Sequence, residues 1–282
     1  MPEGDTIFRA ARSLNRALAA KTVVHFESVF PKLSRVDEDA PIAGRTIESV
    51  VARGKHILMH FGPATRATGQ ALVLRTHMRM NGSWHIYRPG ERWQRPRVDM
   101  RIVVATGDFV AVGFNIPVAE WLATRSLPRH QELRRLGPDL LADDFDANAA
   151  LALLRARPTE AIATVLLNQR VMAGIGNVYK SEVLFACRIN PFANVQALSD
   201  EQLHCLIATA RKFLQANVTE GVAAMTTYLG YGRRTTRRDA PSERLWVYGR
   251  AGEACRRCGT PVRLDKRGDD VRLTYWCPTC QP

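Results

Sequence analysis

Apolar residues near the start of the chain recur at helical spacing. Ile7, Ala10, Leu14, Ala17 and Leu18 form one stripe, and Arg9, Arg12 and Arg16 fall off it, so an amphipathic helix is expected there. After Lys21 the period shortens. Apolar and β-branched runs at 22–29, 46–52, 56–61, 71–77, 98–105 and 109–114 are punctuated by Gly, Pro, Asp and Asn, as at Phe30-Pro31, Gly62-Pro63 and Gly107-Asp108. Short strands with regular turns read as a β-sandwich or barrel carrying one helix. From about Val118 the texture becomes helical. Helical spacing covers 146–156 and 158–169, with Pro158 in a tolerated first-turn position, and then 177–187 and 199–218, the last opened by the capping-box pattern SDEQ. The change of texture places a boundary within 124–144.

Charge narrows the partner class. The 282 residues carry a formal charge of +13, and 228–282 alone holds twelve Lys/Arg against six Asp/Glu. No amphipathic basic helix lies in that tail to favour a membrane surface, so a nucleic acid is the expected polyanion. No apolar run is long enough to span a bilayer and no signal-peptide pattern opens the chain. A cytoplasmic protein is expected, nucleoid-associated if bacterial.

Cysteine spacing adds a metal. CRRC at Cys255/Cys258 and CPTC at Cys277/Cys280 flank an 18-residue spacer with strand-like segments at 263–265 and 272–276 around KRGDD. Two such turns can present four thiolates tetrahedrally, so the tail reads as a β-hairpin closed on one structural Zn2+. Two disulfides would use the same residues, but a cytosolic chain argues against them. The remaining cysteines, Cys187 and Cys205, fall among apolar residues and are expected to be core thiols.

Two further stretches invite chemistry. In LLNQRVMAGIGNVYKSEVLF the turn AGIG leads into a helix starting near Asn177, whose free amides could bind a phosphate. An ordinary helical hairpin with Asn177 as N-cap fits the same residues. The opening MPEGDT would expose Pro2 as a secondary amine beside Glu3 once Met1 is removed; an idle terminus is the plainer alternative.

MPEG, RGKHI at 53–57, LGPDLL at 136–141, NQRVMAGIGNVYKSEVLF and the terminal YWCPTCQ occur here in one order. With these motifs the chain resembles the Fpg/Nei family of bifunctional DNA glycosylases, on its endonuclease VIII-like side, over nearly its whole length. The resemblance implies an α+β multidomain fold: an N-terminal helix plus β-sandwich catalytic domain (1–124), a helix-two-turn-helix domain (125–227), and a basic loop with a four-cysteine zinc-finger β-hairpin (228–282).

It also implies roles. Pro2 matches the nucleophile that forms a Schiff base with damaged DNA, and Glu3 the general acid. Lys55 and Arg272 match phosphate-gripping residues that assist elimination. Asn177 and Arg135 match further phosphate contacts. In THMRMNG, Met80 is the expected wedge into the gap left by a flipped base, or else a strand-end core methionine, and Arg79 is a second void or phosphate contact. The implied partner is damaged DNA, double-stranded or in bubbles and single strands, met by a monomer.

The chain also departs from the family. Thr6 stands where many relatives carry a second glutamate. AVGFNIPVAEW lacks the loop that fills the opposite-strand void in the oxidised-purine branch, which favours oxidised pyrimidines. The five-arginine stretch 230–244 is either a loop near the flipped base or a solvated basic loop. The expected activity is base excision followed by β,δ-elimination. The competing readings are a catalytically inactive zinc-dependent DNA-binding protein of the same fold, and an RNA-binding zinc-ribbon protein. The latter leaves MPEG and AGIGN unexplained.

Overall fold

The structure, a computed structural model, describes residues 2–63, 70–218, 233–236, 240–266 and 272–282. The chain divides into two compact units. Among the described residues the first holds Pro2 and Thr6–Arg134; the second holds Glu3–Asp5, 135–218, 233–236, 240–266 and 272–282.

Helix α1 (Gly4–Leu18) buries the predicted stripe of Ile7, Ala10, Leu14, Ala17 and Leu18. The strands of the first unit are β1 (Val23–Ser28), β2 (Ile47–Arg53), β3 (His56–Phe61), β4 (Leu72–His77), β5 (Ser83–Tyr87), β6 (Met100–Thr106), β7 (Val110–Phe114) and β8 (Val118–Ala123). They form two antiparallel sheets in the orders β1-β6-β7-β5 and β2-β3-β4-β8. Phe26, Ile102 and Val104 from one sheet meet Ile47, Ile57, Phe61 and Leu74 from the other, and the α1 stripe joins the same core. This is the expected helix-bearing sandwich.

Three elements of the first unit differ from the sequence reading. Residues 118–123, expected to begin the helical half, form β8. Every one of its residues pairs with β4, from Val118 opposite His77 to Ala123 opposite Leu72. Six residues make a marginal helix alone, and the sheet edge supplies partners that propensity does not see. Phe30-Pro31, read as a turn, instead opens α2 (Pro31–Asp39), where proline's missing N–H costs nothing at the first position and Leu33 anchors the helix. Strand β5 follows Gly82 directly, and all five of its residues are buried.

A short helix, α3 (Gln131–Arg134), ends the first unit. In the second, Asp146 caps α4 (Ala147–Arg155) by accepting from the Asn148 and Ala149 amides. The helix expected over 158–169 shrinks to α5 (Ile162–Leu167), because the Ile162 and Ala163 amides donate to the Ala193 and Pro191 carbonyls rather than to a preceding turn. Helix α6 (Asn177–Ala186) and helix α7 (Asp200–Ala216) match expectation, and Ser199 and Gln202 complete the capping box. Leu154, Val165, Leu166, Val183, Leu184, Leu206 and Leu214 share their core.

Cys187 and Cys205 are not core thiols. They form a disulfide from the C-terminal cap of α6 to α7, one half-buried and the other exposed. Strands β9 (Arg263–Lys266) and β10 (Leu273–Trp276) pair antiparallel, Arg263 opposite Trp276, as the hairpin reading requires. Of the KRGDD turn, residues 267–270 lie outside the described residues. Among the described residues no helix is long and apolar enough to cross a membrane.

Candidate active site

The first turn of any α-helix leaves backbone N–H groups without internal partners. At the start of α6 they are satisfied by a side chain far away in sequence. Glu3 is fully buried, and its Oε2 accepts from the Gly176 amide at 3.0 Å and the Tyr179 amide at 3.3 Å, while Oε1 accepts from the Val178 amide at 2.8 Å. Of the two sequence readings of this turn, a phosphate on these amides does not hold. The anion they hold is the protein's own carboxylate. The N-cap is Gly176 rather than Asn177.

The close fit explains the glycines. A Cβ on Gly176 would lie 2.3 Å from the Glu3 Cδ, and one on Gly4 would lie 2.9 Å from the Gly174 Cα. The Gly4 amide donates to the Gly174 carbonyl at 2.8 Å, so the opening backbone and the AGIG turn are tied together.

Other faces of α6 hold the four-cysteine hairpin and the segment before it. Asn177 Nδ2 donates to the Leu273 carbonyl at 2.8 Å, and Lys180 Nζ donates to the same carbonyl at 3.0 Å and to Thr274 Oγ1 at 2.8 Å. Burial, and then the neighbouring Arg272 charge, push the buried Lys180 amine down to about 8. Arg272 itself is exposed, one residue before β10. Glu182 is fully buried and accepts the Trp246, Val247 and Tyr248 amides at 2.8–2.9 Å together with the Thr235 hydroxyl. Burial pushes its carboxyl up, against the pull of these donors.

At the base of the hairpin the four expected cysteines gather with all sulfurs within 4.8 Å of one another, Cys255 to Cys280 at 3.9 Å and Cys258 to Cys277 at 3.4 Å. Tetrahedral zinc with sulfur at ~2.3 Å sets sulfurs roughly 3.8 Å apart, so the set fits a metal ion of that kind.

In the first unit, Lys55 occupies the two-residue turn between β2 and β3, since Arg53 pairs with His56. It is half-buried. After β4 the chain separates two methionines: Met78 is buried, whereas Met80 is 59% exposed and so is not a core residue. Arg79 adopts φ +49° between them and donates its amide to His77 Nδ1 at 3.0 Å. Burial, and then Arg79, Lys55 and Arg75, push His77 down to about 4, which keeps the ring neutral in a cluster of cations. Beneath it the buried Arg75 donates to His56 Nδ1 and pairs with Glu120 and Glu132.

Sequence reasoning passed over His77, although its motif was in hand, and passed over Asp5, Lys180 and Arg233. A lysine or arginine becomes informative only once its distant partner is known. Arg135 is exposed.

Together these parts define a β-sandwich unit and a helical unit with a four-cysteine hairpin, the helical one organised around a carboxylate from the extreme N-terminus. Residues 1–114 match the formamidopyrimidine-DNA glycosylase N-terminal domain and residues 136–228 the formamidopyrimidine-DNA glycosylase H2TH domain. The chain is 42% identical over 284 residues to a probable endonuclease 8 2 of Streptomyces coelicolor, covering 100% of this chain and 94% of that protein. It is 37% identical over 281 residues to the DNA-(apurinic or apyrimidinic site) lyase Nei2 of Mycolicibacterium smegmatis, covering 100% and 99%. Its fold superposes on Lactococcus lactis Fpg in complex with abasic-site DNA with a TM-score of 0.81 at 24% identity, over 99% of each chain. The chain belongs to the Fpg/Nei family of DNA glycosylases.

The contact between Gly176 and Glu3 yields a direct test. Gly176→Ala should destabilise the protein by about 1–3 kcal/mol in denaturant unfolding, the usual cost of overpacking. In a Glu3→Ala background the same change should cost less than about 1 kcal/mol, because the group it strikes is gone. Equal costs in both backgrounds would contradict the contact.

Proposed function

We propose that the protein is a base-excision-repair DNA glycosylase and AP lyase that works through Pro2. The observation that carries this reading is the anchoring of Glu3. A carboxylate bonded to three amides at a helix N-terminus is held to one position, and Pro2 is its covalent neighbour. Names of relatives at 42% and 37% identity, an endonuclease 8 and an abasic-site lyase, support the same activity.

With Met1 removed, Pro2 carries an α-amine whose reference pKa of about 7.7–8.0 leaves a usable neutral fraction near pH 7. Its lone pair attacks C1′ of the damaged nucleotide. The C1′–base bond breaks with its electron pair, the Glu3 carboxylate takes up the proton that the amine releases, and the departing base is protonated by water. Glu3 then protonates O4′ as the C1′–O4′ bond breaks, leaving an iminium between Pro2 and C1′. A carboxyl oxygen has two lone pairs, and Oε1 spends one on the Val178 amide, so it retains room for the proton that must be delivered.

The iminium acidifies the C2′ hydrogen. Loss of that proton expels the 3′-phosphate, and a second elimination expels the 5′-phosphate. Lys55 and Arg272 grip the phosphates beside the lesion, with Asn177 and Arg135 as further backbone contacts. Met80 enters the gap left by the flipped base, beside Arg79, and its exposure suits that role. Oxidised pyrimidines are the favoured lesions, in duplex or bubble DNA, and the protein acts as a monomer in the cytoplasm.

Cys255, Cys258, Cys277 and Cys280 hold one zinc ion. A closed four-thiolate set leaves no position for water, so the metal folds the hairpin that carries Arg272 and takes no part in the chemistry. The division into domains at 1–124, 125–227 and 228–282 belongs to the same proposal.

Two experiments test this reading. Incubation with abasic or thymine-glycol DNA and borohydride should trap a covalent adduct. Pro2→Gly, or a form that retains Met1, should bind the DNA yet trap at least about a hundredfold less. No adduct from the native chain, or an undiminished one from Pro2→Gly, would overturn the mechanism. Chelation should release one equivalent of zinc and weaken DNA binding at least about tenfold, with incision falling in parallel. Full incision by zinc-free protein would contradict the structural role.

A further inference from the structure

Two features of the sequence find no place in that mechanism: Thr6, where relatives carry an acid, and the arginine-rich stretch beginning near residue 230. In the second unit one arginine of that stretch, Arg233, meets the residue before Thr6. The buried acid of the opening turn is Asp5, which is fully inaccessible to solvent. Its carboxylate receives both ends of one guanidinium, Arg233 Nη2 at 2.7 Å to Oδ1 and Arg233 Nε at 3.2 Å to Oδ2. The same guanidinium places Nη1 3.9 Å from Glu3 Oε1 and lies over the Tyr179 ring at 4.9 Å. Arg233 is thus a cation between two buried carboxylates, sealed by an aromatic face, with 14% of its side chain exposed.

We propose that Arg233 is a positioning residue for Glu3, with Asp5 as its fixed counter-ion. The inference rests on the reading of Glu3 as the proton donor. When Glu3 gives its proton to O4′, a carboxylate forms inside the protein beside Asp5. A solvated surface arginine could not help there, because water would screen it. A desolvated one 3.9 Å from Oε1 stabilises the charge as it forms. Asp5 offsets the same arginine beforehand, so the site is not left with an unpaired buried cation. Asp5 also grips Nε and Nη2, which turns Nη1 toward Glu3. A lysine would carry the charge without the fork, and glutamine would carry neither.

A purely structural tie between Asp5 and Arg233 would give the same contacts but a different response to mutation. The test uses the full-length protein, with single-turnover borohydride trapping on thymine-glycol duplex, equilibrium binding to a non-cleavable abasic analogue, and thermal melting of every variant. Arg233→Gln should lower the trapping rate at least about tenfold while DNA affinity stays within about twofold. Arg233→Lys should recover a substantial part of the rate. The double variant Asp5→Asn/Arg233→Gln should be faster than Arg233→Gln alone, because it also removes the buried negative charge that opposes ionisation of Glu3.

Parallel losses of rate and affinity in Arg233→Gln, without recovery in Arg233→Lys, would overturn the proposal. An unchanged trapping rate in a folded Arg233→Gln would do the same. Failure of the native chain to trap at all would instead remove the functional reading on which the proposal stands.

Discussion

One ion–helix contact organises the helical unit of this molecule: the Glu3 carboxylate seated on the free amides of α6. Burying a carboxylate costs several kcal/mol even after relaxation. Hydrogen bonds to a charged group return about 1.5–3 kcal/mol each, so three of them at a helix N-terminus are of the size needed to hold the charge inside. The contact also spans 173 residues of sequence, from Glu3 to Gly176. Residue 3 is thereby pinned where an N-terminus would otherwise fray, and residue 2 inherits the constraint through one peptide unit. The glycines of the AGIG turn follow from the same demand, since a single added methyl at Gly176 would collide with the carboxylate.

Helix α6 carries more than this contact. Its first residue and its fourth, Asn177 and Lys180, both hold the Leu273 carbonyl, which fixes the start of β10 next to Arg272. One turn on, Glu182 gathers three consecutive amides at 246–248. A ten-residue helix therefore presents one end to the acid, one side to the four-cysteine hairpin and another to the segment leading into it. The polar groups that do this are buried, and each must be matched. That explains why so short a helix has so many inaccessible polar side chains, and why its amphipathic pattern is weak.

Much of this was legible in the sequence. The stripe of α1, the β-runs of the sandwich, the capping box at Ser199 and the CxxC pairs are local signals, and local physics decides them. Strand β8 was misread because its stability comes from β4, a partner whose pairing leaves no trace in 118–123. The helix expected at 158–169 was overlong because carbonyls of Pro191 and Ala193 capture its first amides. The motif AGIGN reads in sequence either as a phosphate site or as an ordinary capped hairpin; nothing in GIGN names Glu3 as the occupant of its amides. Asp5 and Arg233 were invisible for the same reason: two charges 228 residues apart become a pair only in the fold.

The claim that Glu3 organises α6 is best tested by amide hydrogen exchange in the free protein. The Gly176, Val178 and Tyr179 amides precede the helix's own ladder, so Glu3 is their source of protection, whereas the Lys180 amide bonds to the Gly176 carbonyl within the helix. In Glu3→Ala, the account predicts at least about tenfold faster exchange at those three amides, with Lys180 changed far less. Undiminished protection of all three in Glu3→Ala would contradict it.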